Sequence, residues 1–254
     1  MRNLVPTVVL AVSAAACGAS VLPPVEGSGR VVTLPVAIQE SLTGVRAEGA
    51  LTVEIASGVA PSVVVEADDN LVPLVRTEVT EGVLRVWTDR GWTSKHPLVV
   101  RVGAKAVSAV SASGTARVRV DALRGESVEA VAHGTAHVEV GEVAAKKVKG
   151  DARGASWLKV AGRGVEVLTL LAGDSATVEA AVECDDVSIS AQGAAQVSGP
   201  KAKTARVTAA GAPSVDLDAS QTLRVDASGA ANVRYGGKPE IGGVAGVGTT
   251  VKPR

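Results

Sequence analysis

Every 18 to 20 residues this chain returns to the pattern V-x-A-x-G-x-A-x-V, and that period restricts it to folds that stack one small unit on copies of itself. One copy reads Val110, Ala112, Gly114, Ala116, Val118. The closing apolar residue recurs at Val118, Val138, Leu158, Val178, Val197, Val215 and Val233. Four residues before each anchor stands Gly114, Gly134, Gly154, Asp174, Gly193, Gly211 or Gly229, and two before that, without exception, an alanine. Even offsets from the central position are mostly apolar and small, with Ser156 and Pro213 the exceptions at +2; odd ones are polar or variable. In an extended chain alternate residues face opposite ways. Stacking copies ~4.8 Å apart then sets alanine over alanine and valine over valine in a slender interior.

The expected fold is therefore all-β, a single-stranded parallel β-helix with coils of about 18–20 residues. A β-sandwich could use the same strands, but nothing in it requires so steady a period. The absence of Phe, with one Tyr and three Trp, suits a narrow core of Val, Ala and Gly. The Ala-Gly-Ala centre implies a bend or a pinched interior. Gly150 stands where other copies have Val110, Leu170 and Ile189, which predicts local underpacking or compensation by Trp157 or Leu158. Asp174 replaces the repeat's glycine, a turn substitution, since Asp tolerates a left-handed backbone better than most residues.

The pattern extends beyond its regular copies. Val45 to Val53 is a further match, 65 residues before the Val118 anchor, about three turns at the same period, with a hairpin expected through Asp68-Asp69-Asn70. Ala245 to Val251 continues the spacing as a degenerate terminal copy. Trp87 and Trp92 flank Asp89-Arg90-Gly91, where they could plug or cap an end.

The first 16 residues read as an export signal: Arg2, an apolar run from Leu4, then Ala14-Ala15-Ala16 before Cys17. That ending resembles a bacterial lipoprotein signal, with Cys17 as the lipidated N-terminus; an ordinary secretory signal that leaves Cys17 unmodified is the alternative. Gly18 rather than Asp points to the outer membrane in a Gram-negative host. Residues 17–30 form a Pro/Gly/Ser-rich tether and 31–254 the β-helix. With only Cys17 and Cys184, a disulfide scaffold or cysteine-rich zinc site is excluded, and no cofactor is implied. Cys184 reads as a half-buried small residue whose thiol Asp185 and Asp186 would keep protonated.

Zero net charge and the scarcity of aromatics argue against nucleic acid. Two histidines four residues apart on one strand, His133 and His137, are ~13 Å apart and cannot share one metal. Read across copies, the odd offsets build a shallow trough with Arg117, His133, His137, Arg153 and Trp157 at one end. Trp beside Arg and His is a surface on which a sugar or an anionic polymer could rest; a merely solvated sheet face is the plain alternative. The acidic residues are scattered, so a binding or structural module without catalysis is expected, with a glycan or envelope protein as partner. The other reading is a polysaccharide lyase or hydrolase, which would need converging carboxylates. Oligomeric state is left open.

Segments from Gly49 to Ile55, Val63 to Leu71, Gly82 to Val86 and Ser111 to Val118, with Tyr235-Gly236-Gly237-Lys238-Pro239, resemble the DUF2807 family, the putative auto-transporter adhesin head or GIN domain, over residues 31–252. The resemblance implies a right-handed β-helix in exported, often lipid-anchored bacterial proteins, and carries no catalytic residues.

Overall fold

A computed structural model describes residues 23–38 and 40–254; Cys17 and the signal-like segment lie outside the described residues. The chain winds into a β-solenoid whose coils pair in parallel along two ladders. One ladder stacks Ala109–Gly114, Ser127–Gly134 and Lys147–Gly154, then the second halves of Trp157–Ala172, Thr177–Gly193, Gln196–Gly211 and Ser214–Gly229. The other stacks Arg117–Arg124 and His137–Ala144, then the first halves of the same long strands, and ends on Asn232–Gly236 and Thr250–Pro253.

The repeat residues sit in register. Ala112 lies opposite Ala132, Ala132 opposite Ala152, and Ala191 opposite Ala209, all buried. Val118, Val138, Leu158 and Val178 form a second interior column. The degenerate terminal copy joins in register too, with Ala245 on Ala227 and Val251 on Val233. The narrowing of the period from 20 toward 18 is absorbed at the far bend. Trp157 faces Thr177, twenty residues on, yet Val165 faces Cys184, nineteen on, across a register shift between Gly162 and Val165.

The central glycine corrects one expectation. Its even offset predicts an inward residue, but Gly114, Gly134, Gly193, Gly211 and Gly229 lie at exposed corners between the ladders. All have left-handed backbones, φ 73°, 78°, 71°, 96° and 79°, and Asp174 takes the same turn at φ 60°. The bend resets the alternation, so alanines on both sides still face inward. Packing is backbone on backbone here: a Cβ on Gly154 would lie 2.6 Å from the Gly134 carbonyl oxygen. Even the corner amides bond to the coil below, as when the Thr135 N–H donates to the Gly114 carbonyl at 2.8 Å. At Gly150, Leu158 does compensate: it and Leu170 bring their methyls to 3.0 Å from where a Cβ would be. Trp157 stays on the surface.

The N-terminal end departs from simple winding. Thr52–Ser57 lies directly against Arg117–Arg124, so the 65 intervening residues are not three turns between them. Instead the chain leaves that coil, runs back antiparallel as Ser62–Asp68, passes a 3-10 turn at Val72–Leu74, and makes the hairpin Val75–Thr80/Val83–Thr88. Val83–Thr88 and Val99–Ala104 then pair beneath Gly44–Gly49 and Thr52–Ser57 as a lower coil. The hairpin turns at Glu81-Gly82, φ 52° and 76°, not at Asp68-Asp69-Asn70; two successive positive φ angles suit the twist of paired strands. A length near a multiple of the period imitates periodicity, and only pairing separates the two cases. Val31–Val36 pairs antiparallel with Ser62–Asp68 at this end and carries Pro35, a residue suited to a strand edge.

Candidate functional site

Two columns of outward side chains climb the same ladder, two residues apart in every coil. The first runs Thr52, Arg117, His137, Trp157, Thr177, Gln196, Ser214, Asn232, Thr250. It contains no carboxylate. The His137 and Trp157 rings lie 5.8 Å apart between centroids at 43°, and the Trp157 indole N–H donates to Glu179 at 3.1 Å, which fixes the ring. The second column runs Arg101, Glu54, Arg119, Glu139, Lys159, Glu179 and neutralises itself: Arg101–Glu54 at 3.3 Å, Arg119–Glu139 and Lys159–Glu139 both at 3.4 Å.

The five residues singled out from sequence fall into two groups. Arg117, His137 and Trp157 share the first column. His133 and Arg153 are neighbours on the other ladder, across the glycine corner. There Arg153 grips Asp151 with two hydrogen bonds at 2.9 and 3.0 Å, and His133 stands 3.7 Å from the same carboxylate. Asp151 is 7% exposed, so this arginine, itself exposed, neutralises a covered charge and is ion-paired where Arg117 is not.

Arg117 is placed differently. It borders a cavity of about 460 Å³ with Thr52, Trp92, Lys95, His96 and Thr115. Sequence reasoning missed Lys95 and His96, because they sit in a non-repeating loop that only the returning lower coil sets beside Arg117. The sole sequence signal was the cationic, aromatic run Trp92-Thr-Ser-Lys-His-Pro97. Its anchor is Asp68, 1% exposed, which accepts from the Ser94 hydroxyl at 2.6 Å and the Gly29 N–H at 3.3 Å and meets His96 Nδ1 at 3.2 Å. The Ser94 hydrogen bond, then those from Gly29 and His96, hold the Asp68 carboxyl below the usual carboxylate range. Ser, His and Asp here do not form a nucleophilic relay: the Ser94 hydroxyl donates to Asp68 and accepts from the His96 backbone N–H, not from the imidazole.

Elsewhere the chemistry is quiet. Among the described residues no group of three or more His, Cys, Asp or Glu side chains could hold a metal ion. Cys184 is 9% exposed, and burial, with help from Asp185 and Asp186, pushes its thiol up to about 11. A second cavity of about 540 Å³ has apolar walls from Ile55, Val59, Val64 and Val102, with Arg101, Arg119 and Glu139 on its rim.

Fold and surface together define a parallel β-solenoid whose chemistry is displayed on its outer columns. The chain belongs to the DUF2807 family, described as "putative auto-transporter adhesin, head GIN domain", whose model matches residues 41–239. Its fold is similar to that of a protein named a putative adhesin from Parabacteroides merdae, at TM-score 0.77 and 20% identity over 91% of this chain and 98% of that one. From Parabacteroides distasonis, a protein named a putative lipid binding protein aligns at TM-score 0.81 and 18% identity, and a putative adhesin at 0.79 and 20%; each alignment covers 91% of this chain and 100% of the other. No curated protein matches the sequence.

Proposed function

We propose that this chain is a non-catalytic adhesion module of the bacterial cell envelope, tethered through an acylated Cys17, and that its carboxylate-free column binds an extended glycan. The observation that carries the reading is the register of Arg117, His137 and Trp157 with the hydroxyl and amide side chains above them. Each coil advances ~4.8 Å, close to the advance of one hexose along a polysaccharide. A sugar chain parallel to the solenoid axis would thus meet one side chain per residue. Trp157 and His137 offer rings for stacking, and Thr177, Gln196, Ser214 and Asn232 offer hydrogen bonds.

Catalysis by paired carboxylates finds no support in the column itself. The nearest acids, Glu139 and Glu179, are engaged by Arg119 and Lys159 and by the Trp157 indole. The family description supports a role in adhesion; the export and anchoring part rests on the N-terminal segment. The test of the face is Trp157→Ala on a glycan array, with circular dichroism as the control for folding. Loss of signal with an unchanged spectrum is expected, and undiminished binding removes this face from consideration. For the anchor, mass spectrometry of the mature N-terminus should find diacyl or triacyl Cys17; an unmodified N-terminal peptide rejects it.

A further inference from the structure

The cavity beside Arg117 has a charge character unlike four other concavities among the described residues. Those lined by Glu54, Asp121 and Glu139, by Asp174, by Glu26 and Asp68, and by Glu48 and Glu129 each include a carboxylate. The Arg117 cavity has Arg117, Lys95 and His96 in its wall and no acid. Neither Arg117 nor Lys95 has an ion-pair partner among the described residues, whereas Arg119 and Arg101 in the next column are both paired. Asp68 touches this wall through Ser94 and His96, is already occupied by Ser94, Gly29 and His96, and lines the adjoining cavity that shares Ser94 and Lys95. Because Asp68 holds His96 through Nδ1, Nε2 is the ring nitrogen left for a ligand.

The rest of the wall includes aromatic and hydroxylic side chains. The Trp92 ring packs against the core, with its indole nitrogen shielded from solvent, so it shapes the wall and leaves the polar contacts to its neighbours. The Thr52 and Thr115 side chains stand in the same wall. A planar guanidinium, an ammonium, an imidazole and hydroxyls around one void of about 460 Å³ make a receptor for a compact anion, and a guanidinium favours a carboxylate gripped through two oxygens. Thr52 and Arg117 belong to the cavity wall and to the carboxylate-free column at once, so the cavity opens onto the start of the sugar track.

We infer that the Lys95–His96–Arg117 cavity is a carboxylate subsite and that the ligand of this face is an acidic saccharide, its uronic or sialic acid group seated in the cavity and its next residues on His137 and Trp157. This rests on the glycan reading of the column. The test is calorimetry with oligogalacturonate and with its methyl ester of equal length, in which each carboxylate is capped and uncharged. Oligogalacturonate should bind at least ten-fold more tightly than the ester; because the ester adds a methyl as well as removing the charge, substitution of the cavity's cations separates charge from bulk. Lys95→Ala and Arg117→Ala, each with an unchanged melting curve, should abolish that preference; Trp157→Ala should weaken both ligands together. Equal binding of acid and ester, or a preference that survives both cation substitutions, overturns the carboxylate subsite and leaves the glycan track standing. Binding of neither oligomer overturns both. Displacement of the acid by inorganic sulfate as effectively as by free oligogalacturonate shows a site for small anions only, and overturns the saccharide assignment.

Discussion

The two columns on the outer ladder share strands, spacing and solvent, yet their chemistry is opposite. From Arg101 to Lys159 charges alternate in sign and pair from coil to coil. From Thr52 to Thr250 there are cations, rings, hydroxyls and amides without one carboxylate. A stacked fold brings every outward residue against its counterparts above and below, so a column either neutralises itself or accumulates its character. The paired column supports the stack and offers a ligand little. The unpaired one contributes nothing by ion pairing and keeps its donors for something else.

The change expected to break both columns at once is at the corner that sets their spacing. Gly154→Val forces a β-branched side chain into a backbone with φ 82° and against the Gly134 carbonyl. Strain of that kind plus overpacking costs several kcal/mol, roughly 3–6, and should lower the melting temperature by about 10 °C or more. A melting temperature within about 2 °C of the parent would show that the corner backbone does not control the stack.

The next effect concerns the N-terminal end, where the unpaired column begins. Asp68 has a folded-state pKa below its unfolded value of about 3.9. Its contribution to stability is therefore fully present above that value and is lost as pH falls through the folded pKa. Acidification below about pH 4 should release residues 26–30 and 92–98 before the central coils, seen as faster hydrogen exchange in those segments. Asp68→Asn should remove most of the pH dependence of residues 92–98, because the amide cannot titrate, while Asp69, held low by Ser28 and Arg30, still gives residues 26–30 an acid response. An exchange profile of residues 92–98 in the variant that still follows the parent's from pH 6 down to pH 3 would assign the acid response to other groups.

The smallest effect belongs to the paired column. Glu139→Gln removes the shared partner of Arg119 and Lys159, both largely exposed pairs. Such bridges are worth about 0.2–1 kcal/mol each, so the melting temperature should move by no more than about 8 °C, and ligand binding on the neighbouring column should persist. A large loss of binding would show that the two columns act as one site and not as scaffold and display.

The repeat made the stack legible because every coil solves the same packing problem with the same residues. Val118 over Val138 over Leu158, and the alanines beside them, were legible in the repeat, as was Asp174 in a left-handed turn; at Gly150 the sequence left underpacking, Trp157 and Leu158 open, and packing chose Leu158. The outward placement of the glycine was not legible, because alternation assumes a straight strand and the corner interrupts it. The lower coil was missed for a different reason: residues 83–104 pair beneath 44–57, a reversal of chain order that leaves no periodic trace. The same reversal hid half of the candidate site. Arg117, His137 and Trp157 shared a column by arithmetic, while Lys95 and His96 reached Arg117 only through that returning loop.

Sequence by itself determined the solenoid, its slender Ala/Val interior and the composition of its outer columns, because local alternation and a fixed period dictate which side chains stack. Tertiary structure decided which of the two arginines is available. Arg153 is held on the surface by its two hydrogen bonds to Asp151, while Arg117 borders a cavity whose other cations come from a distant loop. Periodic order is a short-range property and can be counted along a chain; the closing of an end is a long-range one, settled by which edge the chain returns to cover.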